Sequence, residues 1–97
     1  MLKHVVVWRI KDPSQRAVHT VAVKRALELL RGRIPGLLAI EVGVDLGYDE
    51  GADDLCLYAE FEDRAALERY QKHPLYLDVK AILVPLVTGR RVVDWEP

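Results

Sequence analysis

From Leu2 to Ile10 the chain alternates, with Leu2, His4, Val6, Trp8 and Ile10 on one side and Lys3, Val5, Val7 and Arg9 on the other. This period of two, rich in Val with one Trp, predicts a β-strand. Both of its sides carry apolar residues, whereas an antiparallel sheet with one wet face reads apolar on one side only. The segment Leu37 to Leu46 reads as a second strand, with Leu38, Ile40, Val42, Val44 and Leu46 on one side. Its other side, Leu37, Ala39, Glu41, Gly43 and Asp45, is more mixed. Leu55 to Phe61 is a third, with Leu55, Leu57, Ala59 and Phe61 set against Cys56 and Tyr58, and Arg90 to Trp95 is a fourth. Whatever the fold, both faces of its sheet must be covered.

The intervening segments read as helices. Asp12 is a good N-cap, Pro13 sits where its missing N–H costs nothing, and Gln15 is placed to complete a capping box. The first helix is expected to run to about Arg33, burying Val23, Leu27, Leu30 and Ile34, with Val18 and Ala26 widening the stripe. His19 on this helix has no evident partner and reads as solvated. Pro35-Gly36 turns the chain. Gly47 to Asp54 reads as a solvated acidic hairpin loop, since it lacks the spacing of a calcium-binding loop. Asp63 caps a second helix through Tyr70, with Ala66, Leu67 and Tyr70 inward. Pro74 pushes His73 out of the α region, so the helix breaks there. Another helix then runs from Pro74 to about Val84. Leu77, Ala81 and Val84 form one of its stripes, with Tyr76, Val79 and Leu83 beside it.

The order β-α-β-β-α-β predicts an α+β, ferredoxin-like antiparallel sheet with helices on one face, as one domain over residues 1–97. The second apolar sheet face then needs a cover. The cheapest is another copy of the same sheet, giving a two-fold homodimer whose sheets close into a barrel.

A formal net charge of -1 supplies no basic field for nucleic acid or an anionic membrane. No apolar run approaches the roughly 20 residues that span a bilayer, and charges interrupt the N-terminus where a signal peptide would be apolar. One cysteine, Cys56, excludes an internal disulfide and a thiolate metal cage. Its mid-strand position reads as a buried, inert thiol. A cytoplasmic protein is the expectation. No phosphate-binding loop, dinucleotide fingerprint or nucleophile elbow occurs, so no cofactor is expected. A metal site is not expected either, because no recognisable ligand spacing is present.

Candidate chemistry gathers in Arg69-Tyr70-Gln71-Lys72-His73-Pro74-Leu75-Tyr76 and at His4. A histidine on an apolar strand face suits general-base work, and a nearby tyrosine could donate a hydrogen bond to a developing enolate oxygen. The bland alternative makes His4 a core residue bonded to Tyr70 or to backbone, and Tyr70 and Tyr76 packing residues. His73, before a proline at a helix break, is well placed to cap exposed backbone groups. Trp8 shares the face of His4 and is expected to line or close any cavity there. Trp95 is expected to seal a core edge or touch a partner subunit.

Several short segments in order carry a resemblance. These are Leu2-Lys3-His4-Val5-Val6, Ile34-Pro35-Gly36, Glu41-Val42-Gly43, Tyr70-Gln71-Lys72-His73-Pro74 and Val92-Val93-Asp94-Trp95-Glu96. Over essentially its whole length the chain resembles the stress-responsive A/B barrel (Dabb) domains, a family of dimeric α+β barrels. The resemblance implies a cavity between sheet and helices, lined by the first-strand histidine and the Tyr-x-x-His-Pro segment. In the family's plant polyketide-cyclase branch a histidine and a tyrosine perform acid/base chemistry in an aldol condensation, and His4 and Tyr70 match that pair. Two positions depart from that branch: Tyr76 stands where His-Pro-x-His would place a second histidine, and Leu55 where a polar ring residue would stand. The expected function is binding of a small apolar or aromatic molecule in a monomer cavity, contacted by His4, Tyr70, Trp8, His73 and Tyr76. The alternative is a cofactor-independent acid/base enzyme (cyclase, isomerase or monooxygenase-like) with His4 as base and Tyr70 as donor.

Overall fold

The computed structural model describes residues 1–97. β1 (Leu2–Ile10) is its spine. β3 (Leu55–Phe61) pairs along one side of it and β4 (Val87–Trp95) along the other, while β2 (Leu37–Val44) pairs outside β3, all antiparallel. With α1 (Arg16–Glu28), α2 (Arg64–Lys72) and α3 (Pro74–Leu83), the strand order β2-β3-β1-β4 is the ferredoxin-like arrangement expected from the element order. Leu2, His4, Val6, Trp8 and Ile10 of β1 and Leu55, Leu57, Ala59 and Phe61 of β3 are buried beneath the helices.

Asp12 accepts from the Ser14 N–H at 3.1 Å and opens a short 3-10 turn, Pro13–Gln15, ahead of α1. Gln15 makes no side-chain cap bond, so the capping box does not form. α1 stops at Glu28 rather than near Arg33, and the chain continues in tight turns that end at Gly32 (φ 75°) and Gly36 (φ 83°). A glycine in the left-handed region cannot extend a helix. Leu30 and Ile34 stay buried all the same, extending the stripe of Thr20, Val23 and Leu27. Val18, expected in that stripe, is 64% exposed. It lies five residues before Val23, about 140° away round the helix. Thr20 takes its place, its hydroxyl satisfied by the Arg16 carbonyl at 2.8 Å.

β2 also departs from its pattern. A bulge between Leu37 and Ala39 inserts a residue, so Leu37 joins Ile40 and Val42 in the core and Leu38 is 55% exposed. This reverses the sides expected for Leu37 and Leu38. The strand ends at Val44, and Leu46 lies exposed in the loop beyond. The free edge of β2 is blunted by α1. Lys24 Nζ donates to the Val42 carbonyl at 2.6 Å, and the Val42 N–H donates to Glu28 at 3.0 Å.

The loop before β3 is only partly solvated. Asp54 accepts from the Ile10 N–H and from Arg16, both at 2.8 Å, and Asp53 pairs with Arg91. Asp63 caps α2 by accepting from the Ala66 N–H at 2.8 Å. α2 runs two residues beyond Tyr70 before His73 breaks it, as the proline requires. In α3 the inward stripe is Tyr76, Val79 and Leu83, whereas Leu77 and Ala81 face out and Val84, just past the helix end, is half-exposed at the pocket side. Both stripes are apolar, so periodicity alone could not choose between them.

On the far sheet face Val5 lies between Tyr58 and Val93, Val7 between Cys56 and Arg91, and Lys3 between Glu60 and Trp95. Val93 is 61% and Trp95 41% exposed there. No helix lies on that side. Trp95 therefore stands on the open face instead of sealing a core edge.

Candidate functional site

Strand alternation turns His4 and Trp8 inward from β1, about 13 Å apart along the strand. Their surroundings differ. His4 is buried, and its Nδ1–H donates to the carboxylate of Asp94, its direct neighbour on β4. Its ring meets Phe61 edge-on, the centroids 6.1 Å apart. Phe61 in turn packs edge-on against Tyr70 at 4.9 Å. His4 and Tyr70 thus flank one phenylalanine and do not share a hydrogen bond. The carboxylate fixes the imidazole tautomer and leaves Nε2 as the basic nitrogen.

Tyr70 comes from the inner face of α2 and is 1% exposed. Its hydroxyl is buried without a hydrogen-bond partner. The break at His73 lets α3 fold back so that the rings of Tyr70 and Tyr76 lie 4.4 Å apart at 36°. Burial pushes the Tyr70 phenol well above its ordinary value, the Tyr76 phenol adds to this, and the Arg90 guanidinium pulls the other way. Burial raises Tyr76 as well, again opposed by Arg90. Both phenols are hydrogen-bond donors at neutral pH.

Trp8 and Tyr76 help to line a pocket of about 220 Å³ between α3 and the β1–β4 edge. Leu83, Val84 and Val87 complete its apolar wall, and Lys80 and Arg90 bring charge to it. A second cleft of about 370 Å³ adjoins it through Tyr76, Lys80 and Arg90.

Of the five residues singled out from sequence, the structure brings Trp8, Tyr76 and, through stacking, Tyr70 to one place. His4 sits apart with Asp94. His73 accepts from the Leu75 N–H on Nδ1 at 3.1 Å and caps α3. His19, expected to be solvated, has a buried Nδ1 without a partner. Burial raises the Cys56 thiol, which keeps it protonated. No group of three His, Cys, Asp or Glu side chains is placed to hold a metal, and no helix is long and apolar enough to cross a membrane.

As site residues, Lys80, Leu83, Val87, Arg90 and Asp94 were not singled out from the sequence. The spacing Tyr76, Lys80, Leu83 is a one-face helical pattern and could have flagged the first two. Arg90 and Asp94 are identified only by the β1–β4 pairing.

The stress responsive A/B barrel domain family matches residues 2–97. Among solved structures, a dimeric ferredoxin-like protein of unknown function from Bacteroides fragilis is 28% identical with a TM-score of 0.85, covering 98% of this chain and 94% of that one. A dimeric ferredoxin-like protein of unknown function from Thermobifida fusca is 28% identical with a TM-score of 0.83, covering 97% and 88%. An antibiotic biosynthesis monooxygenase, 21% identical with a TM-score of 0.80 over 100% and 98% of the two chains, shares the fold. No curated protein matches the chain.

Proposed function

The chain belongs to the stress-responsive A/B barrel domain family, and from that premise we propose that it is a homodimer binding a small apolar or aromatic molecule in the pocket between α3 and the sheet. The observation that carries this reading is the pocket itself, with Trp8 and Tyr76 among its walls. Two aromatic rings beside aliphatic side chains, with a few polar groups at one end, is the usual make-up of a small-molecule site. At about 220 Å³ it suits a ligand of one or two rings, below the roughly 300–1,000 Å³ of drug-sized sites.

Calorimetric titration with naphthol tests it. Saturable binding by the wild type, reduced at least tenfold by Leu83→Trp, is the expected result. Naphthol that fails to bind, or binds Leu83→Trp equally well, would sink the reading.

The dimer is supported by the open face around Val5, Val7, Val93 and Trp95 and by the dimeric state of two relatives at 28% identity. Replacing Val7 by Asp would bury a carboxylate between the two sheets. Light scattering at micromolar concentration should then show a monomer or an unfolded chain in place of a dimer. A monomeric wild type ends this part of the proposal.

A second reading is favoured by the bond between His4 and Asp94. It is cofactor-independent acid/base catalysis of cyclase, isomerase or oxygenase type, with His4 as base and Tyr70 as donor. An imidazole held by a carboxylate is preorganised for proton transfer. Asp94→Asn should then lower turnover of a polyketide-like substrate as His4→Ala does, with the fold intact. Turnover indifferent to both changes removes this reading.

A further inference from the structure

The proposed pocket is apolar within and doubly cationic at one end. Lys80 lies one turn beyond Tyr76 on α3, and Arg90 arrives from β4; both line the apolar pocket and the polar cleft that adjoins it. Unpaired cations are ordinary on a protein surface, so their placement matters more than their number. The ion pairs of the molecule use His4, Arg9, Arg16, Lys24, Arg64 and Arg91, and none uses Lys80 or Arg90. Strand alternation separates two consecutive arginines. Arg91 lies opposite Val7 and pairs with Asp53, while Arg90 turns to the pocket without a carboxylate. Behind Tyr76, whose ring lies 4.4 Å from that of Tyr70, the Tyr70 hydroxyl is buried with no partner.

Two cations without carboxylate partners, side by side where an apolar pocket meets a polar cleft, call for an acceptor with negative charge. We propose that the ligand is an amphipathic anion: an aromatic or apolar ring system carrying one carboxylate, its ring against Trp8, Tyr76 and Leu83 and its carboxylate between Lys80 and Arg90. This deepens the binding reading above and rests on it.

Naphthoate and naphthamide, alike in shape and unlike in charge, separate the two. Titrated into the wild type at low salt, naphthoate should bind about tenfold more tightly than naphthamide. Lys80→Gln and Arg90→Gln should each weaken naphthoate several-fold and leave naphthamide unchanged. Raising sodium chloride from about 50 to about 500 mM should weaken only naphthoate. Leu83→Trp should weaken both. Equal affinities, or naphthoate affinity indifferent to Lys80 and Arg90, overturn the anion preference; naphthamide lost in Leu83→Trp would then show the pocket reading still standing. Naphthoate binding that survives Leu83→Trp places the anion elsewhere and also overturns it. Failure of both probes to bind overturns both readings.

Discussion

His4 and Trp8 both point inward from β1, yet they end in unlike surroundings. Around His4 the polar demand of Nδ1 is met by Asp94 and the ring is packed by Phe61. Around Trp8 there is space of about 220 Å³, and Lys80 and Arg90 at its margin lack carboxylates. Tyr70 lies between the two regions, edge-on to Phe61 and tilted against Tyr76, with its hydroxyl unsatisfied. A histidine on an apolar strand draws the eye first, but here Asp94 holds its Nδ1, Phe61 packs its ring, and neither His4 nor Asp94 borders the pocket. Empty space beside unmet charge is better evidence.

Changes at four positions can break or sharpen this contrast. His4→Ala should have the largest effect on stability, a loss of about 1–3 kcal/mol in urea unfolding, because it leaves packing unfilled and Asp94 without its donor. Naphthol affinity should be nearly unaltered; the reverse pattern, unchanged stability with lost binding, would merge the two regions into one site. Val87→Trp, which fills the pocket from β4, should lower naphthol affinity about tenfold while stability falls by about 1 kcal/mol, the low end for an enlarged side chain because the space beside it is open.

His73→Ala should cost about 1 kcal/mol through loss of the α3 cap, and His73→Asp should restore it, since a carboxylate accepts the same N–H. If His73→Asp fails to rescue stability, the cap is not what His73 supplies.

Tyr70→Phe should have the smallest effect near neutral pH: stability equal to or slightly above wild type, because a buried hydroxyl with no partner is removed. Its signature lies in alkali. The folded phenol is raised above its ordinary value of 10.0, so the unfolded chain loses this proton first. The contribution is full below pH 10 and is lost as pH rises beyond it. Urea unfolding between about pH 9 and 11 should therefore show a steeper fall for the wild type than for Tyr70→Phe. Parallel curves would mean that the hydroxyl finds a partner in solution.

Much of the fold was legible because its signals are local. Asp12 and Asp63 cap where their side chains predict, β3 spans Leu55–Phe61 as its alternation requires, and His73 takes φ -69° and ψ 135° because Pro74 follows it. What escaped was set by distant partners. The bulge that turns Leu37 inward and Leu38 outward depends on pairing with Phe61 and Glu60. The inward stripe of α3 was hidden because Leu77 is as apolar as Leu83.

The candidate site divides in the same way. Trp8 and Tyr70 were visible as large amphipathic rings on faces that local periodicity turns inward, and Tyr76 as a ring just after the helix break, though its inward direction was not. Arg90 was not, because nothing short of the β4 register tells it from Arg91. By itself the sequence determined that four strands occur and in what order, the helix break and an apolar second sheet face, since backbone sterics, capping and side-chain alternation act within a few residues. It placed the start of β4 at Arg90, whereas the strand begins at Val87. The tertiary structure alone decided that His4 meets Asp94, 90 residues away, and that Lys80 and Arg90 border one pocket. Contacts of that range are chosen by how strands register and helices pack, and neither choice is written in a local stretch of the chain.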